Sequence, residues 1–301
     1  MGALNVLFAL TLLGVPPQEA QPQVPPDAPS TAIEDVLVEG RPLREMVDDF
    51  VDEVVAPPPG RGPARWDRKV CVGAANLRRD TAQSLIDRIS DIAHEIGLEA
   101  GEPGCSPNIL VIASDDGAGL ARALVEARPN AFRPPYAGAS RSRAALERFQ
   151  MTDRPVRWWH VSIPTHADTG EVAVRIPGYA APMLNVRGSR LRTDLQNDLR
   201  RAFVIVDLDD AGAVTFRQLS DYVAMVAFAQ IDPDADLSGF PTVLNVFDDP
   251  GAAEGLTDWD LSYLRALYDA ELNQRSPNAQ SGAVGGVMSR DRERAGSETP
   301  E

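Results

Sequence analysis

The chain offers three imidazoles, at His94, His160 and His166, so any metal site or general base built on histidine must draw on these. His160 follows Trp158 and Trp159 in a strand-like run, and His166 lies in the loop after it, two residues before Asp168. An imidazole pair with a nearby carboxylate can hold a divalent metal, or can act as a general base with its orienting acid. That chemistry needs His160 and His166 to approach each other, with Asp168 as third ligand or orienter. The plainer reading makes His160 a structural histidine among aromatics, with no metal and no cofactor bound. His94 falls off the apolar face of its helix and is expected in solvent. Trp158 and Trp159 send one ring to each face of their strand, so one is expected in the core and the other free to bind a ligand.

Other motifs stop short of a site. Asp232, Asp234 and Asp236 have the alternate spacing of a calcium loop, but Leu237 stands where the sharp turn needs glycine and Val243 where a bidentate acid belongs. An acidic surface turn is expected there. Gly117-Ala118-Gly119 begins a dinucleotide-binding turn, yet Arg122 replaces the third glycine, and Asp115-Asp116 would set two carboxylates against a pyrophosphate. A strand-to-helix turn capped by aspartate accounts for it better. No Gly-x-Ser-x-Gly elbow and no Walker-type phosphate loop occurs. The two cysteines, Cys71 and Cys105, make one disulfide in an exported chain or two buried thiols otherwise. No histidine lies near enough in sequence to complete a zinc tetrahedron with them.

Charge narrows the partners. A formal net charge of −15 repels phosphate backbones and anionic headgroups, which argues against nucleic acid. Arg187, Arg190, Arg192, Arg200 and Arg201 form a local basic cluster, diluted by Asp194 and Asp198 into a salt-bridged surface. The apolar run from Leu4 to Val15 is too short to span a membrane and has the length of a signal-peptide core, with Ala20 as the cleavage residue. Residues 1–20 thus read as a signal peptide, 21–32 as a flexible linker, 33–273 as one α/β domain and 274–301 as a disordered tail. The mature chain carries no integral membrane span, and a periplasmic or secreted location follows.

The elements that must position these residues show in the hydrophobic periodicity. Helices are predicted over 43–55, from Asp80 with a capping box to Gln83, over 118–127 and 143–149, over 215–231 as a helix buried nearly all round, and from Thr257 as N-cap. A short segment over 36–40 comes first, and strands are predicted over 69–72, 108–113, 156–163 and 203–208. Asp168-Thr169-Gly170 reads as a hairpin turn into a returning strand over 171–176. The strand–helix–strand unit over 69–113 requires a right-handed crossover and a parallel pair.

The stretch Leu256-Thr257-Asp258-Trp259-Asp260-Leu261-Ser262-Tyr263-Leu264-Arg265-Ala266-Leu267-Tyr268 resembles the closing helix of metzincin-type zinc peptidases. The preceding strand, long helix, loop and Val243-Leu244-Asn245-Val246-Phe247 are similar, in order, to that family's strand, active-site helix and Met-turn. Over residues 33 to 271 the chain also resembles uncharacterised exported proteins of alphaproteobacteria. They share Arg65-Trp66-Asp67, Pro155-Val156-Arg157-Trp158-Trp159-His160, Asp221-Tyr222-Val223-Ala224-Met225 and the Leu-Thr-Asp-Trp-Asp stretch. The resemblance implies a zincin-like core with a mixed twisted sheet. The helix that should carry His-Glu-x-x-His instead reads from Gln218 through Asp221 and Tyr222 to Gln230, with no imidazole to hold zinc. The Met-turn position is Leu244 or Val246. It therefore implies a non-catalytic binding or scaffold protein of the cell envelope, with a peptide or envelope protein as partner. The alternative is a hydrolase with an unconventional site drawn from His160, His166, Asp168 and Asp221. A third reading makes helix 215–231 simply the core of another α/β fold.

Overall fold

The computed structural model describes residues 41–67, 69–136, 139–178, 182 and 190–298. The expected signal peptide, the linker, the 36–40 segment and Arg187 lie outside the described residues. Helix α1, Leu43–Val54, buries Val47, Phe50, Val51 and Val54 at helical spacing, and the prolines from Pro57 end it. Strand β1, Val72–Ala75, helix α2, Arg79–Glu95, and strand β2, Ile109–Ser114, form the expected crossover, with Val72 opposite Ile109 in a parallel pair. Gly97 ends the helix at φ +82°, a conformation that glycine takes without steric cost. One cap differs from expectation. Helix α2 starts at Arg79, one residue early, so Asp80 sits inside the first turn and Gln83 turns outward to donate to Asp87 at 2.6 Å.

Strand β3, Val156–His166, and strand β4, Leu195–Asp207, complete a four-stranded mixed sheet in the order β1-β2-β4-β3. β4 runs parallel to β2 and antiparallel to β3, from Val156 opposite Val206 to His166 opposite Leu195, with one register shift between Val161 and Ser162. The returning strand expected over 171–176 does not form. The turn at Gly170 does, with φ +66°, but only a single bridge joins Thr165 to Val172. An apolar strand buried on both faces needs a partner of the same kind, and 171–176 carries Glu171 and Arg175, whereas the end of β4 reads Ala202-Phe203-Val204-Ile205-Val206.

Helices cover both faces of this α/β sheet. On one side lie α3, Gly117–Ala127, α4, Pro129–Phe132, and α5, Arg143–Met151, packed on Trp159, Val161 and Ile205. On the other, α6, Phe216–Phe228, and α7, Asp258–Asp269, join α1, α2 and α8, Pro277–Glu298, over Trp158, Val204 and Val206. Helix α6 begins at Thr215 with a full capping box to Gln218, and α7 at Thr257 with one to Asp260. Because neither face is open, both tryptophans are buried, and the expectation that one ring would be exposed for binding is corrected.

The tail expected to be disordered from residue 274 is also corrected. Helix α8 buries Val284 and Met288 against α1 and α7, and Ser262 donates to Asp291 at 2.5 Å. Its small residues have a packing role: a Cβ at Gly285 would stand 2.8 Å from an oxygen of Asp48 on α1. The bridge between Cys71 and Cys105 forms, tying the start of β1 to the loop before β2.

Candidate functional site

The long α6 crosses β3 and fixes what the even-numbered residues of that strand meet. His160 faces the helix, and its ring Nε2, 2.8 Å from the Val226 carbonyl, donates to it. Burial pushes the imidazole down to about 4, against the pull of that carbonyl and with Arg141 adding to the fall. His160 is therefore neutral at physiological pH and held by its hydrogen bond. His166 ends the same strand six residues on, roughly 20 Å away at the rise of an extended chain. His160, His166 and Asp168 do not converge, because β3 continues to His166 instead of turning after Ile163, and His160 is the structural histidine of the plainer reading. His94 is exposed on α2, as the periodicity implied.

Asp221 is wholly buried on α6 and is already engaged. Arg88 on α2 grips it with two bonds, Nε at 2.6 Å and Nη2 at 2.9 Å, and the Leu256 amide donates at 2.8 Å. Arg217 stands 3.9 Å off. These contacts tie α6 to α2 and to the approach of α7, and the carboxylate is wholly buried, facing no open surface. Asp116 caps α3 by accepting from Gly119 at 2.6 Å, while Asp207 accepts from the Gly117 amide at 2.7 Å. The turn is thus the capped one that the two acids suggested. Among the described residues, no three of histidine, cysteine, aspartate and glutamate converge where a metal ion could sit.

The acidic turn after α6 faces a row of guanidiniums. Arg141 reaches Asp232 at 3.2 Å, and Arg148 and Arg154 reach Asp234 at 3.0 and 2.6 Å. Behind these pairs runs a narrow slot against Trp159, His160 and Arg157, with about 30 Å³ of free volume, room for about one water. Beside it opens a much larger cleft of about 470 Å³. Its walls are the start of β3, the acidic turn and the segment Leu244 to Asp248, and Tyr222 of α6 lies at its base. Trp158, Tyr222 and Phe247 pack edge to face there, with ring centroids 6.0 and 5.0 Å apart.

The edge of β3 borders the same cleft. The Asp207 amide donates to the Pro155 carbonyl at 2.8 Å, which with the register sets Arg157, Trp159 and Val161 towards β4. The backbone groups of Val156, Trp158 and His160 then point outward. Beyond the register shift the edge is covered, by Ala139 at Ser162 and by Ala173 at Pro164. From Val156 to His160 no backbone partner covers it among the described residues.

Of the residues weighed from sequence, the cleft gathers Trp158 and the acids of the calcium-like spacing, Asp232, Asp234 and Asp236, but neither His160 nor His166. Tyr222 and Phe247 were missed as a site, although a tyrosine in a helix that is otherwise almost wholly apolar was a signal, since a buried hydroxyl asks for a partner. Comparisons with protein-family models, with curated proteins and with solved structures find no match. The described residues include no helix long and apolar enough to cross a membrane, and the disulfide is compatible with an oxidising compartment.

Proposed function

We propose that this chain is a non-catalytic, zincin-like binding or scaffold protein of the cell envelope, periplasmic or secreted, whose cleft takes an extended segment of a peptide or protein partner. The observation that carries the reading is a cleft of about 470 Å³ lined by Trp158, Tyr222 and Phe247, which opens beside the start of β3, an outer strand of the sheet. A cleft of this size takes one or two side chains of a bound segment, and its rings and charges lend it side-chain preference. The element order supports the zincin-like part: a parallel crossover, an antiparallel edge strand, a strand leading into a buried helix, a tight turn near Val243–Asn245 and a closing helix. The helix that would carry zinc ligands offers Asp221, held by Arg88, and Tyr222.

Hydrogen exchange of the purified protein with a library of extended peptides tests it. A bound segment is expected to slow exchange at the amides of the turn that lines the cleft, Asp234 to Ser238, with no peptide cleaved. Peptide turnover abolished by replacing His160 and His166 with alanine would overturn the reading, as would one tightly held zinc per chain.

A further inference from the structure

Tyr222 is 8 % exposed, and its hydroxyl has no hydrogen-bond partner among the described residues although it borders an open cleft. The ring is buried but its oxygen is not sealed off, so it faces the cleft, where a ligand group can take the place of solvent. Burial raises its pKa, with Arg154 opposing and Asp248 adding, so the hydroxyl stays protonated and lies within electrostatic reach of both. It can therefore accept from a cation or donate to a carboxylate of the rim.

The charges around it are unequal. Asp232 and Asp234 are matched by Arg141, Arg148 and Arg154, and Arg154 also donates to the Pro233 carbonyl. Asp236 and Asp248 have no ion-pair partner among the described residues. The Ser238 hydroxyl, then its amide, holds the Asp236 carboxyl below its ordinary range. The cleft thus combines two unmatched carboxylates, three aromatic rings and an unpartnered phenol, in a volume suited to a long side chain. Rings and carboxylates together favour an organic cation, whose stem packs on the rings while its charge faces their negative faces and the acids. A bare metal ion fits poorly, since among the described residues no three ligating groups converge.

We infer that this cleft selects the arginine or lysine side chain of a bound segment, with Trp158, Tyr222 and Phe247 around its stem and Asp236 and Asp248 around its charge. The inference rests on the peptide-binding reading above and adds a specificity to it. The net charge of −15 draws such a segment in from solution.

Four capped peptides of sequence Thr-Val-X-Val-Thr, with X as arginine, lysine, norleucine or glutamate, are titrated by calorimetry into the full protein, and n-butylguanidinium is titrated separately. The arginine peptide is expected to bind at least about tenfold more tightly than norleucine, with the advantage shrinking as salt rises. Asp248→Asn and Tyr222→Phe should each cut that ratio, with near-UV circular dichroism confirming the fold. Equal binding of all four peptides overturns the cation preference and leaves the binding reading standing. Binding of n-butylguanidinium, lost in Asp248→Asn, with no peptide bound supports the cation site and sinks the extended-segment reading. No binding of any probe overturns both, and stoichiometric calcium binding that displaces n-butylguanidinium overturns the organic-cation assignment.

Discussion

Replacing Arg88 with methionine isolates the contact that decides whether Asp221 is structural or chemical. Methionine keeps most of the stem that packs beside α6 and removes both guanidinium bonds, at 2.6 and 2.9 Å. Asp221 then remains wholly buried with the Leu256 amide at 2.8 Å and Arg217 at 3.9 Å. Breaking a buried pair by deleting one partner costs about 3–5 kcal/mol, because a desolvated charge is left behind. Arg88 is 33 % exposed and Arg217 can take up part of the load, which sets the expectation at the lower end, about 3 kcal/mol. For a domain of this size that lowers Tm by roughly 6–12 °C. Urea unfolding followed by tryptophan fluorescence and by circular dichroism reads the loss directly. The double variant Arg88→Met/Asp221→Leu should recover at least half of it, since the orphaned carboxylate is gone. A loss below about 1 kcal/mol for Arg88→Met, with the double variant worse than the single, would refute the structural role of Asp221.

Three further outcomes follow from the coordinates. Replacing Cys71 and Cys105 together by serine should lower stability by roughly 3–4 kcal/mol by the loop-entropy relation for a closure spanning 34 residues, read from urea midpoints. His160 binds a proton near 6.5 when unfolded and only near 4 when folded, so its contribution falls as pH drops through that window and is constant above it. Between pH 7.5 and 5 the native chain should lose about 2 kcal/mol more than His160→Gln, which keeps a donor for the Val226 carbonyl. Met288 is fully buried, so Met288→Ala should cost about 2–5 kcal/mol in the same assay, where a disordered tail would register nothing.

Much of the local structure was legible in the chain. The 3.6-residue spacing of Val47, Phe50, Val51 and Val54 and of Leu85, Ile89 and Ile92 marked α1 and α2, and Thr215 and Thr257 marked the starts of α6 and α7. Those signals act within a few residues, where backbone hydrogen bonding and side-chain periodicity are settled. The parallel pairing of β1 with β2 followed from the chirality of crossovers, and with two cysteines only one disulfide pairing existed. Helix α8 escaped because glycine, serine and alanine resemble a disordered composition, while its stability comes from the close approach of Gly285 to α1 and the burial of Val284 and Met288.

By itself, the sequence determined the class of fold, most of its helices, the disulfide and the lack of a zinc-binding helix motif, because each is written in neighbouring residues or in residue identity. Tertiary structure alone decided that β3 pairs with β4, that both tryptophans are covered, that Arg88 closes over Asp221 from 133 residues away, and that Trp158, Tyr222 and Phe247 share one cleft. Those facts depend on which surfaces meet when apolar faces are buried, and no local period carries that information.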